Sequence, residues 1–162
     1  MRRSLTLRLI LALAILALIP APAAAAGHRF VAPLSGGEEV PPNDSRGTGV
    51  ATFKLSADGT ELSYRLIVAN IENVTQAHIH LAPAGANGGV VVWLYPEGPP
   101  ATLILGRSDG VLMTGTITAA NLVGALAGGT LDDLLTHMRA GGAYVNVHTS
   151  QIPGGEIRGQ IR

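Results

Sequence analysis

Residues 75–81 alternate: Ala77, Ile79 and Leu81 share one parity, Gln76, His78 and His80 the other. Successive side chains of an extended strand point to opposite faces. The pattern predicts a strand that sends the apolar set into a core and two imidazoles outward. Residues 143–149 repeat the design, with Ala143, Val145 and Val147 inward and Tyr144, Asn146 and His148 outward. Residues 156–161 do so again, Ile157 and Ile161 facing in and Glu156, Arg158 and Gln160 facing out. If the last two strands pair, their polar faces coincide and Glu156 lies across from His148.

The same period of two marks further strands. Residues 30–34 end at Ser35-Gly36-Gly37, and Glu39-Val40-Pro41-Pro42 follows, where prolines exclude a central strand. Ala51, Phe53 and Leu55 are in phase over 49–55, and Leu62, Tyr64, Leu66 and Val68 over 62–68, with Ala57-Asp58-Gly59 as the turn between. Residues 90–95 are apolar on both faces, which predicts a central strand. Residues 101–105 and 111–117 are expected as two strands around a turn at Asp109-Gly110. A helix is expected over 130–140: Thr130 caps, Asp132 and Asp133 suit the positive end, Leu131, Leu134, Leu135 and Met138 form the buried stripe, and Gly141 stops it. His137 lies off that stripe and reads as solvated.

Many glycines (21) and prolines (10) with only 4% aromatics fit short strands and frequent turns. The fold expected is therefore all-β, an antiparallel sandwich or barrel with one short helix. Residues 1–26 read as an export signal: Arg2, Arg3 and Arg8 precede an apolar run over 9–19, and Ala24-Ala25-Ala26 offers a small-residue cleavage site. The expected location is periplasmic or extracellular, with one domain over 28–162. Loss of the three signal arginines leaves eight basic residues against eleven acids, a net of −3. Scattered charges of that balance give no basic track along the sequence for nucleic acid or anionic lipid. With no cysteine, the exported domain is held by burial alone.

His78, His80 and His148 are the candidate metal ligands. Two histidines two residues apart on a strand reach one ion, and imidazole suits copper and zinc. Glu156 is a candidate fourth ligand or a support for the rings. The alternative is a structural polar cluster, with Tyr144, Asn146, Arg158 and Glu156 bonding the rings. No nucleophile elbow is present, since neither Ser35 nor Ser150 lies in Gly-x-Ser-x-Gly.

Phe30-Val31-Ala32-Pro33-Leu34-Ser35-Gly36, Glu39-Val40-Pro41-Pro42, residues 70–80 with Gly85 and Asn87-Gly88, and Tyr144-Val145-Asn146-Val147-His148-Thr149 with Pro153-Gly154-Gly155-Glu156-Ile157-Arg158-Gly159 together resemble the CHRD domain. That domain was named from chordin and occurs as a secreted bacterial module. The resemblance implies an immunoglobulin-like fold that has been likened to copper/zinc superoxide dismutase, and it implies no particular activity. His78, His80 and His148 are similar in order and face to copper ligands of that enzyme. This chain has no bridging histidine, zinc-loop ligand set or cysteine pair, so the likeness does not extend to a dismutase reaction. Two functions are therefore expected of the chain: a non-catalytic module binding a protein, glycan or matrix partner, or a copper- or zinc-binding protein with a three-histidine site.

Overall fold

The computed structural model describes residues 29–162, so the expected export signal lies outside the described residues. Seven strands and one α-helix follow in order: β1 (Arg29–Ser35), β2 (Thr48–Leu55), β3 (Leu62–Leu81), β4 (Val90–Tyr95), β5 (Ile104–Ile117), α1 (Leu131–Arg139), β6 (Ala143–Thr149) and β7 (Ile157–Gln160). Every pairing is antiparallel. The ladder runs β2-β1-β7-β6-β3 and returns from β3 to β2, closing a barrel. Closure removes the sheet edges that a short sandwich would expose.

β3 holds the barrel together by serving both of its edges. Leu66 lies between Ala51 of β2 and Met113 of β5, and Ala77 lies between Val147 of β6 and Tyr95 of β4. The sequence suggests two strands here, yet the chain makes one of 20 residues. The reason lies at Asn70 and Asn73, both in the left-handed region at φ 55°, where asparagine is tolerated better than most residues. Their neighbours satisfy the kinked backbone: Asp109 accepts from the Asn70 amide at 2.7 Å, and Asn73 Oδ1 accepts from the Gly106 amide at 2.8 Å. The strand bends there and continues.

The same contacts correct the expectation for β5. Residues 104–117 form a single strand, and Asp109-Gly110 is a bulge opposite Val68–Ile71 instead of a hairpin turn. β4 is also not central; it pairs only with β3, and its free side is covered where the Val123 amide donates to the Val91 carbonyl at 2.9 Å. A bulge lets β4 bury Val91, Val92 and Leu94 despite their mixed parity.

The inward parity fills the barrel as the alternation predicts. Phe30, Ala32 and Leu34 of β1, Ala51, Phe53 and Leu55 of β2, and Ile157 and Ile161 at the C-terminal end are all buried. Each large side chain of this set, removed from water, contributes about 1.5–3 kcal/mol. α1 closes one side with Leu131, Leu134, Leu135 and Met138, and Thr130 with Asp133 forms a reciprocal capping box. Gly141, at φ 66°, ends the helix as expected. His137 is exposed. No helix among the described residues is long and apolar enough to cross a membrane.

Candidate metal centre

β3, β6 and β7 are neighbours, and their register builds a polar grid. Gln76 pairs with His148; His78, Asn146 and Arg158 form the next row; His80, Tyr144 and Gln160 form the third. Directly opposed residues share a face, so alternation alone brings the three histidines together. Their ligand nitrogens all lie within 4.8 Å of one another.

The face lies outside the barrel core, as the alternation predicts, but it is not open to solvent. His78, His80 and His148 are 3, 8 and 7% exposed, and β6 and β7 are buried throughout. Three segments cover the face: 36–47 between β1 and β2, 82–89 between β3 and β4, and 150–156 between β6 and β7. Arg158, itself 2% exposed, clamps the second of these, donating to the Ala86 carbonyl at 2.8 Å and to Asn87 Oδ1 at 3.0 Å. Its guanidinium carbon sits 3.4 Å from the centre of the Tyr144 ring, a desolvated cation–π contact. Asn87 in turn donates to the Val40 carbonyl at 2.8 Å, tying the second segment to the first. Gly88 can have no side chain, because a Cβ there would overlap the Leu81 carbonyl.

These covers also set the ring tautomers. His80 Nδ1 lies 3.0 Å from the Gly88 carbonyl and His148 Nδ1 lies 2.9 Å from the Pro153 carbonyl. A carbonyl only accepts, so both nitrogens carry the proton and both Nε2 atoms present a lone pair. His148 Nε2 meets His78 Nδ1 at 3.2 Å. His80 Nε2 and His78 Nε2 are buried with no hydrogen-bond partner. Trp93, opposite His78 on β4, packs edge to face at 4.3 Å, and the Tyr144 ring stacks on His80 at 4.8 Å.

Burial holds all three rings neutral. Desolvation first, and the neighbouring imidazoles second, pull the His78 pKa down to about 3. His80 is pulled down to about 4, again mainly by desolvation, which outweighs the opposing bond to Gly88. His148 is lowered for the same first reason. Neutral imidazole is the form that ligates metal.

The family model for the CHRD domain matches residues 30–161. The chain belongs to that family. No curated protein and no solved structure matches it.

In this CHRD domain Glu156 does not join the histidine cluster. It follows the last Cα pair, and its carboxylate accepts from Thr149 Oγ1 at 2.6 Å and Ser45 Oγ at 2.7 Å, pinning the first cover segment and the end of β6 to the third segment. The carboxylate on the grid is Glu39, which sequence reasoning passed over. It is buried, and its Oε1 accepts from Asn146 Nδ2 at 2.7 Å beside Gly155. Desolvation pushes its pKa up to about 7 against the lowering influence of Arg158 and Asn146. Its signal in the sequence was the second acid of Glu38-Glu39 before Val40-Pro41-Pro42, in a segment too irregular for a parity argument. Trp93 was hidden differently, in a run apolar on both faces.

Proposed function

We propose that this CHRD domain is an extracytoplasmic metal-binding protein that holds one copper or zinc ion on His78, His80 and His148. The observation that carries the reading is the pair of imidazoles whose Nδ1 protons are fixed by backbone carbonyls while their Nε2 lone pairs converge, unpartnered by any backbone or side-chain donor except at His78. Metal-ligating histidines are oriented in this way by the groups behind them. The 3.2 Å between His78 Nδ1 and His148 Nε2 also fits, since nitrogens about 2.0–2.1 Å from a tetrahedral ion lie roughly 3.3 Å apart. An ion there would take the place of the proton between those two rings, which moves to His78 Nε2.

Three neutral ligands leave a fourth position for water or an exogenous group. The competing reading, a hydrogen-bonded structural cluster, leaves His80 Nε2 buried and unsatisfied, at a cost of about 1–3 kcal/mol that an ion would relieve, whereas His78 Nε2 lacks a partner in either reading. Copper, where available, is the expected occupant, because affinity at nitrogen sites peaks at that ion. The test is metal analysis of protein expressed with its signal and purified without a polyhistidine tag, before and after reconstitution. One equivalent in the wild type, lost in His78→Ala and His148→Ala, supports the reading; reconstituted wild type without metal above background ends it.

A further inference from the structure

Away from the histidines, the barrel wall formed by β1, β2 and the first half of β3 has an outward face of a different character. Arg29 pairs with Lys54 and Lys54 with Ser63; Val31 pairs with Thr52 and Thr52 with Arg65. The Val31 and Arg162 amides and carbonyls exchange both hydrogen bonds, at 2.8 and 3.0 Å, which places Arg162 on the same face beside Val31. Thr114 and Thr116 of β5 extend the two rows from Arg65 and Ser63. Every one of these side chains is exposed. Two adjacent rows therefore carry Arg29, Lys54, Arg65 and Arg162, four hydroxyls, one valine and no acidic side chain.

Several facts separate this patch from ordinary surface charge. Residues 29–162 contain eight basic residues, and four of them stand here although the segment is acidic overall. Of the others, Arg107 and Arg139 are ion-paired to Asp109 and Asp132, and Arg158 is buried. None of the four has a side-chain carboxylate within ion-pair distance among the described residues. Arg29 and Lys54 are moreover direct cross-strand partners, and like charges so placed destabilise a sheet. A depression in the surface is lined by Arg29, Lys54, Ser63 and Arg65. The acids of the adjoining β2–β3 turn, Asp58, bonded to Ser56 and Thr60, and Glu61, whose carbonyl accepts from the Ser56 amide, lie outside ion-pair distance of the four cations.

We infer that this face is a binding site for a linear anionic polysaccharide, its carboxylates or sulfates taken by the four cations and its hydroxyls by Thr52, Ser63, Thr114 and Thr116. The patch has no exposed aromatic ring on which a nucleobase could stack. Val31 within the rows, with Pro33 and Val111 exposed beside half-buried Val50 and Ile67 in the next row, gives little to insert into a bilayer. Charge in parallel rows with hydroxyls between them matches a polymer that alternates acidic and hydroxyl groups. The site is separate from the metal centre, which uses the second half of β3, β6 and a covered face.

The test titrates the purified full chain, free of any tag, into fluorescein-labelled polygalacturonate at low salt. Neutral dextran, phosphatidylglycerol vesicles and single-stranded DNA serve as competing probes. Polygalacturonate is expected to bind and dextran not to. Lys54→Glu with Arg65→Glu should weaken binding by about tenfold or more and flatten the dependence of log affinity on log salt by about two, while Arg46→Glu, off the patch, leaves both unchanged. Lys54→Gln with Arg65→Gln keeps the test decisive if the reversed pair fails to fold, with a smaller loss in the same direction. Binding unaffected by either pair, no binding of polygalacturonate, or tighter binding of vesicles or DNA overturns the inference.

Discussion

Two regions of one barrel wall follow the same rule and end in opposite states. On β1, β2 and the first half of β3, the outward parity is bare, hydrated and positive. On the second half of β3, β6 and β7, the outward parity is buried, neutral and roofed by three segments. Parity decides which side of a strand a residue takes, and the connections decide whether water reaches it. Polar groups exposed on the first region keep their solvation, whereas those on the second must find partners inside the protein. Arg158, Tyr144, Gln160 and the amide nitrogen of Asn146 find theirs in the covers and in one another. The Asn146 amide oxygen and two histidine nitrogens do not, and the metal reading rests on one of these, His80 Nε2.

The comparison breaks most decisively at the rings. His80→Ala removes one of three ligands from the roofed face, so copper affinity measured by competition with a chelator should drop by about 100-fold or more, while polygalacturonate binding stays at the wild-type level. The roof itself is the next target. Arg158→Ala removes the clamp on Ala86 and Asn87 together with the packing on Tyr144, and should cost about 3 kcal/mol in denaturant unfolding. Arg65→Ala, an exposed arginine from the bare face, should stay within about 0.5 kcal/mol.

Protonation should sharpen the contrast further. Folded His78 and His80 titrate near 3 and 4, below the ordinary 6.5. Their stabilising contribution is therefore complete above 6.5 and is lost as the pH falls towards those values. Glu39 runs the other way: raised from 4.5 to about 7, it contributes fully below 4.5 and loses that contribution as the pH rises through 7. The Tm of metal-free protein should fall between pH 6 and 4 less steeply than in Glu39→Gln, where only the histidines act. Above pH 7 Glu39→Gln should melt higher than wild type. The smallest effect belongs to the bare face. Lys54→Gln relieves the repulsion with Arg29 and should raise stability by a few tenths of a kcal/mol at low salt, an increment that 0.5 M salt removes.

Much of the buried region was legible in the sequence because its strands alternate cleanly. The parity of Ala77 and Ile79, Val145 and Val147, and Ile157 brought His78, His80 and His148 to one face, and the pairing of β6 with β7 followed. The roof was not legible. Its contacts are made by Gly88, Pro153 and Ala86 carbonyls, which no side-chain pattern announces. Nor was the continuity of β3 and β5, because Asn70, Asn73 and Gly110 look like turn residues until Asp109 and Gly106 are seen to satisfy them. The basic face was missed for a related reason: Arg29, Lys54, Arg65 and Arg162 are far apart in the chain and meet only through register.

The most direct test is X-ray absorption spectroscopy at the copper edge on the reconstituted wild type. Three imidazole nitrogens at about 2.0 Å, with their outer-ring scattering, are expected. A shell dominated by oxygen, with one imidazole or none, would contradict the metal reading.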